Sequence, residues 1–334
     1  MSSFAPELPN DPNATSTRQS GARVCREAAA EPDSTTWTPE KVAIIGVGLL
    51  GGSFGLAIRD IYPAAHRVGV ARGEASRQAA LRIEAVDEAS ADFRRACRDA
   101  DLVVIATPVD RIATLVIEAA GICRDSALVT DLGSTKAGIA VAVATNPLAL
   151  GKYVGAHPIA GGEKTGAEHA RHDLFRDRPV VLTPTAASDP QRLLNSATMW
   201  RALGARVFEM SPEAHDRALA FMSHLPHLVA STLAQLLDDT TRPLVGPGWL
   251  DTTRVASGDP EMWTAICKEN RAEIVIGLDR MGDSLRQLRD AIHRGDDGRV
   301  FELLAAAKRS RDDVLESLLP ASPTALRTDA STPP

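Results

Sequence analysis

The sequence predicts an α/β fold in which a doubly wound parallel sheet is followed by an all-helical domain. Between residues 41 and 210, short runs rich in Val and Ile alternate with stretches that suit helices. A glycine-rich turn closes the first run, and the region after Ser211 contains almost no strand signal. Because strands that alternate with helices form parallel sheets covered on both faces, these observations favour the doubly wound class.

The first strand begins at Lys41, where the β-branched run VAII leads into glycines, and an apolar stretch of small residues then suits a helix up to Arg59. The same pattern of strand and helix recurs along the chain. The further predicted strands lie at 67–71, 102–106, 128–131, 153–156, 180–183 and 206–210. The predicted helices between them begin at Ser76, Val109 and Thr135, and one more ends at Gly204.

Two start signals mark the helices of the second half. Ser211 followed by Pro212 is typical of an N-cap with proline at the first helical position. Asp259 followed by Pro260 repeats this signal ahead of a long helical run to residue 292. These signals predict an all-helical domain.

The length of 334 residues predicts two domains, since a domain has roughly 100 to 200 residues. We expect a dinucleotide-binding domain at 40–210 and a helical substrate and dimerisation domain at 211–320. Residues 1–39 are rich in Ser, Thr, Pro and Ala without periodicity, which indicates a disordered leader. Residues 321–334 have the composition of a flexible tail.

Composition and charge narrow the range of partners. The formal net charge is −6 and only 4% of residues are aromatic, which argues against a nucleic-acid surface. The uncharged run 218–237 contains two histidines and a proline and is interpreted as a buried helix, not a membrane span. Four widely spaced cysteines form no CxxC pair, so we expect neither zinc nor disulfides, and a reducing, cytoplasmic location. These cysteines are Cys25, Cys97, Cys123 and Cys267.

Three glycines after the first strand form a GxGxxG motif in the context that a dinucleotide site needs. Gly46 permits the tight turn, Gly48 lets the backbone approach a pyrophosphate, and Gly51 lets the helix pack on the strand. The helix that begins near Leu49 would stabilise the anion with its N-terminus. This is the pattern of a Rossmann-type domain that binds a nicotinamide dinucleotide.

The end of the second strand bears on the choice between NAD and NADP. No acidic residue stands immediately at the strand end, and Arg72 offers a planar guanidinium for a 2′-phosphate. Alternatively, Arg72 is a solvated loop residue and Glu74 binds the ribose. We favour NADP, with NAD tolerated. Thr107 and Pro108 follow another strand, where they either contact the nicotinamide end or merely terminate the strand.

Five ordered segments carry a more specific signal: GVGLLGGS, DLGSTK, HPIAGGEKTG, SHLPH and DTTRVASGDP. With these segments, the chain from Lys41 to about Ala307 resembles the prephenate/arogenate dehydrogenase family of tyrosine biosynthesis. The resemblance implies oxidation at the ring carbon that bears a hydroxyl, with hydride passing to the nicotinamide and the ring carboxylate lost as carbon dioxide. The product ring becomes aromatic, which would make the reaction effectively irreversible.

The resemblance also implies the catalytic residues. His157 matches the family's catalytic histidine, and a neutral imidazole suits a proton acceptor for the ring hydroxyl. By itself, a histidine beside a proline would more often be a loop or core residue. Ser134 matches the family serine that contacts the cofactor and orients the histidine. Ser134 could equally cap a helix that begins at Thr135, and the two roles are compatible.

The substrate of this family carries two carboxylates, so cations and hydrogen-bond donors are expected around it. Arg254 matches the carboxylate-binding arginine, and Asp251 could hold its guanidinium through an i, i+3 pair. Glu163 matches a glutamate near the substrate, or is a solvated loop charge. His224 and His227 are expected against the substrate, although they could be core residues. No carboxylate or cysteine joins them at ligand spacing, so we predict no metal.

The sequence departs from the family pattern at two positions. Gly162 stands where a hydroxyl-bearing residue is common, and Leu250 stands where a basic residue commonly precedes the aspartate. Both departures remove a polar group from the expected site. They leave open whether the substrate is prephenate or arogenate.

Two other functions compete with this interpretation. A 3-hydroxyacid dehydrogenase would use a catalytic Lys such as Lys268, but the residue four positions later is Ala272, which offers no polar partner. A non-catalytic nicotinamide sensor would keep the fold without the reaction. The apolar faces of the later helices predict a homodimer formed through the helical domain. The other expected partner is a small molecule.

Overall fold

The computed structural model describes residues 26–27, 37–162 and 164–318. The described residues form two compact units, with the boundary between Ile274 and Val275. The first unit contains the sheet and the helices through the start of the long helix that begins at Arg271. The expected leader at 1–39 and tail at 321–334 lie largely outside the described residues.

A nine-stranded sheet in the order β1-β9-β8-β7-β6-β5-β2-β3-β4 forms the centre of the first unit. The strands are β1 (Arg26–Glu27), β2 (Lys41–Ile45), β3 (His66–Val70), β4 (Glu88–Ser90), β5 (Leu102–Ile105), β6 (Leu128–Asp131), β7 (Tyr153–Pro158), β8 (Pro179–Thr183) and β9 (Arg206–Glu209). All neighbours pair in parallel except β7 with β8 and β1 with β9.

The helices follow the predicted alternation. They are α1 (Leu49–Ile61), α2 (Glu74–Arg82), α3 (Phe93–Cys97), α4 (Val109–Ala120), α5 (Ala137–Val143), α6 (Pro147–Lys152), α7 (Pro190–Ala202), α8 (Pro212–Leu219), α9 (Leu225–Ala234), α10 (Pro247–Thr253), α11 (Pro260–Glu269), α12 (Arg271–His293) and α13 (Asp297–Leu318). None of these described helices is both long and apolar enough to cross a membrane.

Hydrophobic layers cover both faces of the sheet, as expected for a doubly wound fold. On one face the layer includes Phe54 of α1 and Trp200 of α7, whose rings meet edge to face at 5.6 Å. On the other face it includes Ile112 of α4 and Ile139 of α5. The β-branched strands between these layers are buried on both sides, which explains their continuous apolar runs. The predicted α/β class with a following helical region is confirmed.

The sheet differs from the prediction in three respects. The elements β4, α3 and α6, which are short and carry polar residues, were not predicted. A wholly parallel sheet was expected, but β8 runs antiparallel to β7, because the described part of the connection across 159–178 forms a 3₁₀ turn and no crossover helix. The helices predicted at Ser76 and Thr135 begin at Glu74 and Ala137.

Part of the predicted leader is ordered. Arg26 pairs with Glu209 and Glu27 with Phe208, so the two residues add an antiparallel strand to β9. The prediction of disorder was wrong for these two residues, since the backbone groups of an edge strand accept pairing whatever the composition of the partner. The rest of the segment up to residue 36 lies outside the described residues.

The helical region begins as predicted but is more broken. Ser211 caps α8 by accepting a hydrogen bond from Ala214 N at 3.2 Å, and Asp259 caps α11 in the same way. The uncharged run is helical up to Ala234, as predicted, but it is not α-helical throughout: residues 220–224 form a π turn between α8 and α9. Pro226 has no N–H to donate to the preceding turn, which accounts for the wider turn. The long run predicted after Asp259 is interrupted at Asn270.

The described part of the second unit consists of helix from Val275 onwards. Several of its large apolar side chains are exposed, among them Leu285, Ile292, Phe301 and Leu304. Phe301 is 73% exposed, which is unusual for a large aromatic side chain.

Candidate active site

The carboxyl ends of four adjacent parallel strands bring the sequence motifs to one edge of the sheet. Strands β7, β6, β5 and β2 are neighbours in that order. The glycine turn follows β2, Thr107 follows β5, the DLGSTK segment begins at the end of β6, and His157 is the penultimate residue of β7. Ligands of open α/β sheets bind at this edge, so it is the candidate site.

The glycine turn has the shape that a dinucleotide requires. Gly46 has φ +99°, and a Cβ there would lie 2.5 Å from the carbonyl oxygen of Ala106. A Cβ at Gly51 would lie 1.9 Å from the carbonyl oxygen of Gly46, so this position tolerates no side chain. A Cβ at Gly48, in contrast, would meet nothing within 4 Å. Space is therefore open beside Gly48 at the start of α1, where Leu49 is the first helical residue.

The turn after β3 holds the two residues predicted to select the cofactor. Glu74 accepts hydrogen bonds from Gln78 Nε2 at 2.7 Å and Arg77 Nε at 3.2 Å, and these bonds lower its pKa. Arg77 also donates to the carbonyl oxygens of Ala71 and Arg72 and so holds the turn. The side chain of Arg72 is exposed and forms no ion pair with a described residue.

Thr107, Pro108 and Ser134 all lie at this edge. Thr107 is half-buried, and Pro108 occupies the N-cap position of α4. Ser134 is half-buried in the loop before α5 but does not cap that helix, which begins at Ala137. The capping alternative for Ser134 was wrong, because a carboxylate from α8 reaches the first amides of α5 instead.

A buried cluster around Asp131 fixes the loop beneath the site. The carboxylate accepts hydrogen bonds from Tyr153 OH at 2.8 Å, Gly133 N at 2.9 Å and Ala156 N at 3.2 Å. It also forms an ion pair with Lys136, and both side chains are fully buried. Burial, with the Asp131 charge, raises the pKa of Tyr153 well above its usual value, so the hydroxyl stays a donor. The Asp and Lys of DLGSTK are thus structural partners.

A chain of hydrogen bonds connects His157 to the helical region. Nδ1 of His157 lies 2.8 Å from Nε2 of His215, and Nδ1 of His215 lies 2.8 Å from Oδ1 of Asp216. The same carboxylate accepts from Lys136 N and Ala137 N at 2.8 Å each. Asp216 therefore caps α5 and orients His215 at the same time.

The direction of each bond in this chain follows from chemistry. A carboxylate accepts, so Nδ1 of His215 carries a proton, and Nε2 of neutral His215 accepts the Nδ1–H of His157. Nε2 of His157 is then left without a proton, and it has no hydrogen-bond partner among the described residues. Burial lowers the pKa of His157 well below its usual value, and the nearby Lys136 cation acts in the same direction. His157 is accordingly neutral at pH 7, with a free lone pair on Nε2.

The SHLPH segment places both of its histidines in the interior. His224 is 1% exposed, in the π turn, and its Nδ1 lies 3.1 Å from Nδ2 of Asn270. His227 is 6% exposed and stacks on Trp263, with 3.5 Å between ring centroids. Gly258 allows this stack, since a Cβ there would lie 2.4 Å from Nε1 of Trp263. No cluster of three or more potential metal ligands occurs in the described part of the chain.

The remaining predicted substrate residues are less enclosed. Asp251, in α10, and Arg254, in the 3₁₀ turn that follows it, are both exposed. The support of Arg254 by Asp251 stays a prediction. The α-helix ends at Thr253, which changes the spacing that an i, i+3 pair needs. Glu163 lies outside the described residues.

Sequence reasoning missed three residues of this arrangement: His215, Asp216 and Asn270. The sequence offered one signal for His215 and Asp216, which are adjacent and lie shortly after a predicted helix start. Histidine and aspartate are seldom buried without a partner, so such a pair is a candidate for a hydrogen-bonded site. Asn270 gave no such signal, because its partners lie on other elements.

Comparisons with known proteins identify the family of the chain. The family model described as prephenate dehydrogenase, nucleotide-binding domain matches residues 54–209, and the one described as prephenate dehydrogenase, dimerization domain matches residues 211–306. A prephenate dehydrogenase from Bacillus subtilis is 32% identical over 282 residues, which are 82% of this chain and 76% of the relative. A cyclohexadienyl dehydrogenase from Zymomonas mobilis is 31% identical over 277 residues, 81% of this chain and 94% of that protein.

A solved structure is similar along almost the same length. The crystal structure of prephenate dehydrogenase from Aquifex aeolicus in complex with hydroxyphenyl propionate and NAD⁺ matches with a TM-score of 0.77 and 31% identity. The match covers 84% of this chain and 100% of that chain. Since the two family models also match most of the sequence, the chain belongs to the prephenate dehydrogenase family.

Proposed function

We propose that this protein catalyses the oxidative decarboxylation of prephenate or arogenate, with hydride transfer to a nicotinamide dinucleotide. The products would be 4-hydroxyphenylpyruvate or tyrosine, together with carbon dioxide and the reduced dinucleotide. The family membership and the names of the relatives support this reaction class. Both substrates stay in the proposal, because the departures at Gly162 and Leu250 do not discriminate between their side chains.

The observation that carries the proposal is the state of His157. Its imidazole is neutral, half-buried at the sheet edge, and held so that Nε2 presents a lone pair. This group accepts the proton of the ring hydroxyl while that ring carbon is oxidised. Loss of the ring carboxylate leaves its electron pair to aromatise the ring, and His157 returns the proton to the phenolic oxygen. The histidine is thereby regenerated in its neutral form.

The glycine turn is the proposed cofactor site, formed by Gly46, Gly48 and Gly51 with the first residue of α1, Leu49. The open space at Gly48 fits a pyrophosphate against the helix N-terminus. A bound nicotinamide supplies the hydride acceptor. Thr107 and Pro108, with Ser134 on the next loop, line the same edge near His157 and are assigned to its nicotinamide end. Arg72, in the turn after β3, is the last residue that we assign to the cofactor.

The preference for NADP is part of the proposal and rests on the turn after β3. Glu74, the acid that would otherwise bind the ribose hydroxyls of NAD, is occupied by Arg77 and Gln78. Arg72 is exposed at the same turn and its guanidinium suits a 2′-phosphate. We therefore favour NADP, with NAD accepted.

On the substrate side, Arg254 is the proposed partner of a carboxylate, because its guanidinium binds carboxylates in a bidentate manner. His224 and His227 are assigned to the buried wall of the site and Asp251 to its rim. Glu163 is kept as a proposed substrate residue on the resemblance alone. Arg254 is exposed, which supports a role in attracting the dianionic substrate from solvent.

We further propose that the protein is a homodimer assembled through its helical region. The exposed apolar residues of α12 and α13 need a partner surface, and the matching family model is described as a dimerization domain. The free cysteines Cys97, Cys123 and Cys267 fit a reducing, cytoplasmic location.

The test is the initial rate of reduced dinucleotide formation by the purified protein with prephenate and with arogenate, each paired with NAD⁺ and with NADP⁺. We expect turnover in at least one pair and a higher kcat/KM with NADP⁺. A folded protein that binds dinucleotide but turns over neither substrate would refute the dehydrogenase assignment.

A further inference from the structure

Asn270 is a buried residue between α11 and α12 whose side chain joins two parts of the site. It is 4% exposed. Its Nδ2 lies 2.7 Å from the backbone oxygen of Asp216 and 3.1 Å from Nδ1 of His224. A backbone carbonyl can only accept, so the amide nitrogen must face Asp216. The second hydrogen of that nitrogen is then donated to Nδ1 of His224.

This arrangement fixes the tautomer of His224. Since Nδ1 accepts a hydrogen bond, the proton of the neutral ring is on Nε2. Burial lowers the pKa of His224 to about 4, so the ring is neutral at pH 7. Nε2 is buried and has no hydrogen-bond partner among the described residues. A buried donor without a partner is rare in native proteins and indicates a ligand that completes it.

The connections of His224 bear on the ligand that this donor takes. Asn270 joins Nδ1 of His224 to the backbone oxygen of Asp216, whose carboxylate holds His215 in the relay to His157. Lys136, the fully buried cation of the site, is already paired with Asp131. A carboxylate that enters this part of the site therefore needs a donor other than Lys136, and Nε2–H of His224 is available.

We propose that Asn270 is a positioning residue that holds His224 as an Nε2–H donor for a carboxylate of the substrate. This inference rests on the proposed function, in which His157 faces the ring hydroxyl and the carboxylates belong to the opposite end of the ring. The two histidines then have opposite polarity, because Nε2 of His157 accepts a proton and Nε2 of His224 donates one. Asp216 supports both, through its side chain and its backbone oxygen.

The first measurement is the tautomer of His224 in the full-length protein. Nitrogen NMR of histidine-labelled protein distinguishes a protonated from an unprotonated ring nitrogen, and the His224→Gln variant assigns the signal. We expect Nε2 to be protonated and Nδ1 to be unprotonated between pH 6 and pH 8. A wild-type protein with the proton on Nδ1 would overturn the proposal.

The second measurement is the affinity for 4-hydroxyphenylpropionate in the presence of NAD⁺, in wild type and Asn270→Asp. A carboxylate at position 270 accepts from Nδ1, so the neutral ring presents a lone pair at Nε2. We expect Kd at pH 8 to rise roughly 5- to 150-fold, the effect of one unsatisfied buried polar group. At pH 6, protonation of the ring beside the new carboxylate restores Nε2–H, and Kd returns towards the wild-type value.

The titratable groups that act on His224 are Asp216 and His215, and both are retained in this variant. The matched control is Asn195→Asp, another buried asparagine, whose Oδ1 accepts from Gln191 Nε2 and continues to do so as a carboxylate. This control should bind the probe as the wild type does at both pH values. A folded Asn270→Asp protein that binds like the control at pH 8 contradicts the proposal.

A second pair of variants decides the question if Asn270→Asp does not fold. His224→Gln retains an amide N–H near the position of Nε2, whereas His224→Leu has no donor. We expect His224→Gln to bind the probe within about fivefold of wild type and His224→Leu to lose affinity. Equal affinities would overturn the assigned donor. Lack of turnover with prephenate and arogenate would refute the proposed activity alone, because the tautomer and the probe affinity need no turnover.

Discussion

The carboxylate of Asp216 accepts a hydrogen bond from the backbone N–H of Lys136 at 2.8 Å, although the two residues are far apart in sequence. This contact connects the helical region to the loop that follows β6. Since the neighbouring oxygen accepts from Ala137 N, the carboxylate also serves as the N-terminal cap of α5. The residue that orients His215 is therefore fixed to the sheet edge that carries His157.

The Asp216→Asn variant tests this arrangement. An amide cannot accept three hydrogen bonds on one oxygen, so His215 is free to turn its proton towards His157 and reverse the tautomer of the base. We expect kcat to fall about a hundredfold or more, as when a triad carboxylate is replaced by an amide. The KM for the dinucleotide should not change. Steady-state kinetics on protein verified as folded provide the check, and an unaltered kcat would contradict the relay.

Replacing His157 with Asn removes the base directly. We expect kcat to fall roughly 10²- to 10⁴-fold, the usual effect of losing a positioned general base. Dinucleotide affinity should remain, because the glycine turn lies on another strand. His66→Asn, at an exposed position at the start of β3, is the matched control. Normal turnover of His157→Asn would remove this residue from catalysis.

Buried neutral histidines should make the protein sensitive to acid. Burial lowers the pKa of His157 and His215, and that of His224 to about 4. The unfolded chain therefore binds more protons between pH 6.5 and pH 4, and the free energy of unfolding falls as pH falls through that window. Each histidine contributes up to about 1.4 kcal/mol per pH unit.

Urea unfolding at pH 7.5, 6.5, 5.5 and 4.5 measures this dependence. The stability from these groups should be fully present above pH 6.5 and decline below it. His224→Gln should have a shallower slope than wild type between pH 6.5 and 4.5. A free energy of unfolding that stays constant from pH 7.5 to 4.5 would be inconsistent with neutral, buried rings.

Two glycine variants separate cofactor binding from folding. Gly48→Ala adds a Cβ that meets nothing within 4 Å in the protein, so we expect normal stability and weaker dinucleotide binding. Gly51→Ala puts a Cβ 1.9 Å from the carbonyl oxygen of Gly46, so we expect a lower melting temperature. Thermal unfolding with and without dinucleotide distinguishes the two effects. A Gly48→Ala protein with wild-type affinity would exclude pyrophosphate contact at this position.

The Arg72→Ala variant tests cofactor choice. Loss of a charged hydrogen bond costs about 1.5 to 3 kcal/mol, so the KM for NADP⁺ should rise roughly 10- to 150-fold. The KM for NAD⁺ should change little. Arg82→Ala, in the last turn of α2, is the control. Equal changes for both dinucleotides would assign Arg72 to the solvated surface.

Local sequence patterns predicted the strands well where the apolar residues of the pattern are also the buried residues of the fold. The strands β2, β5 and β6 are buried on both faces, and their Val- and Ile-rich runs are unmistakable. The short strand β4 has half-buried polar residues and was missed. The direction of β8 was also missed, because strand direction depends on the path of the connection and not on the strand's own residues.

The residues of the site also divide into those that a local sequence pattern predicts and those that it does not. Gly46, Gly48 and Gly51 could be identified from the sequence, because backbone conformation and close approach demand glycine within a single turn. The pairing of Asp251 with Arg254 stays a prediction, because the helix that would set its spacing ends at Thr253, between them. Helix ends depend on packing as well as on local sequence.

The sequence by itself determined the alternation of strands and helices, the glycine turn and the identity of His157 as a candidate base. Each of these features depends on residues that are close together in the sequence, so a short sequence pattern is enough to predict it. Only the tertiary structure decided how that base is held, since His215, Asp216 and Asn270 meet across elements that are distant in sequence. The hydrogen bonds among them set which ring nitrogen carries a proton, and that property exists only once the chain has folded.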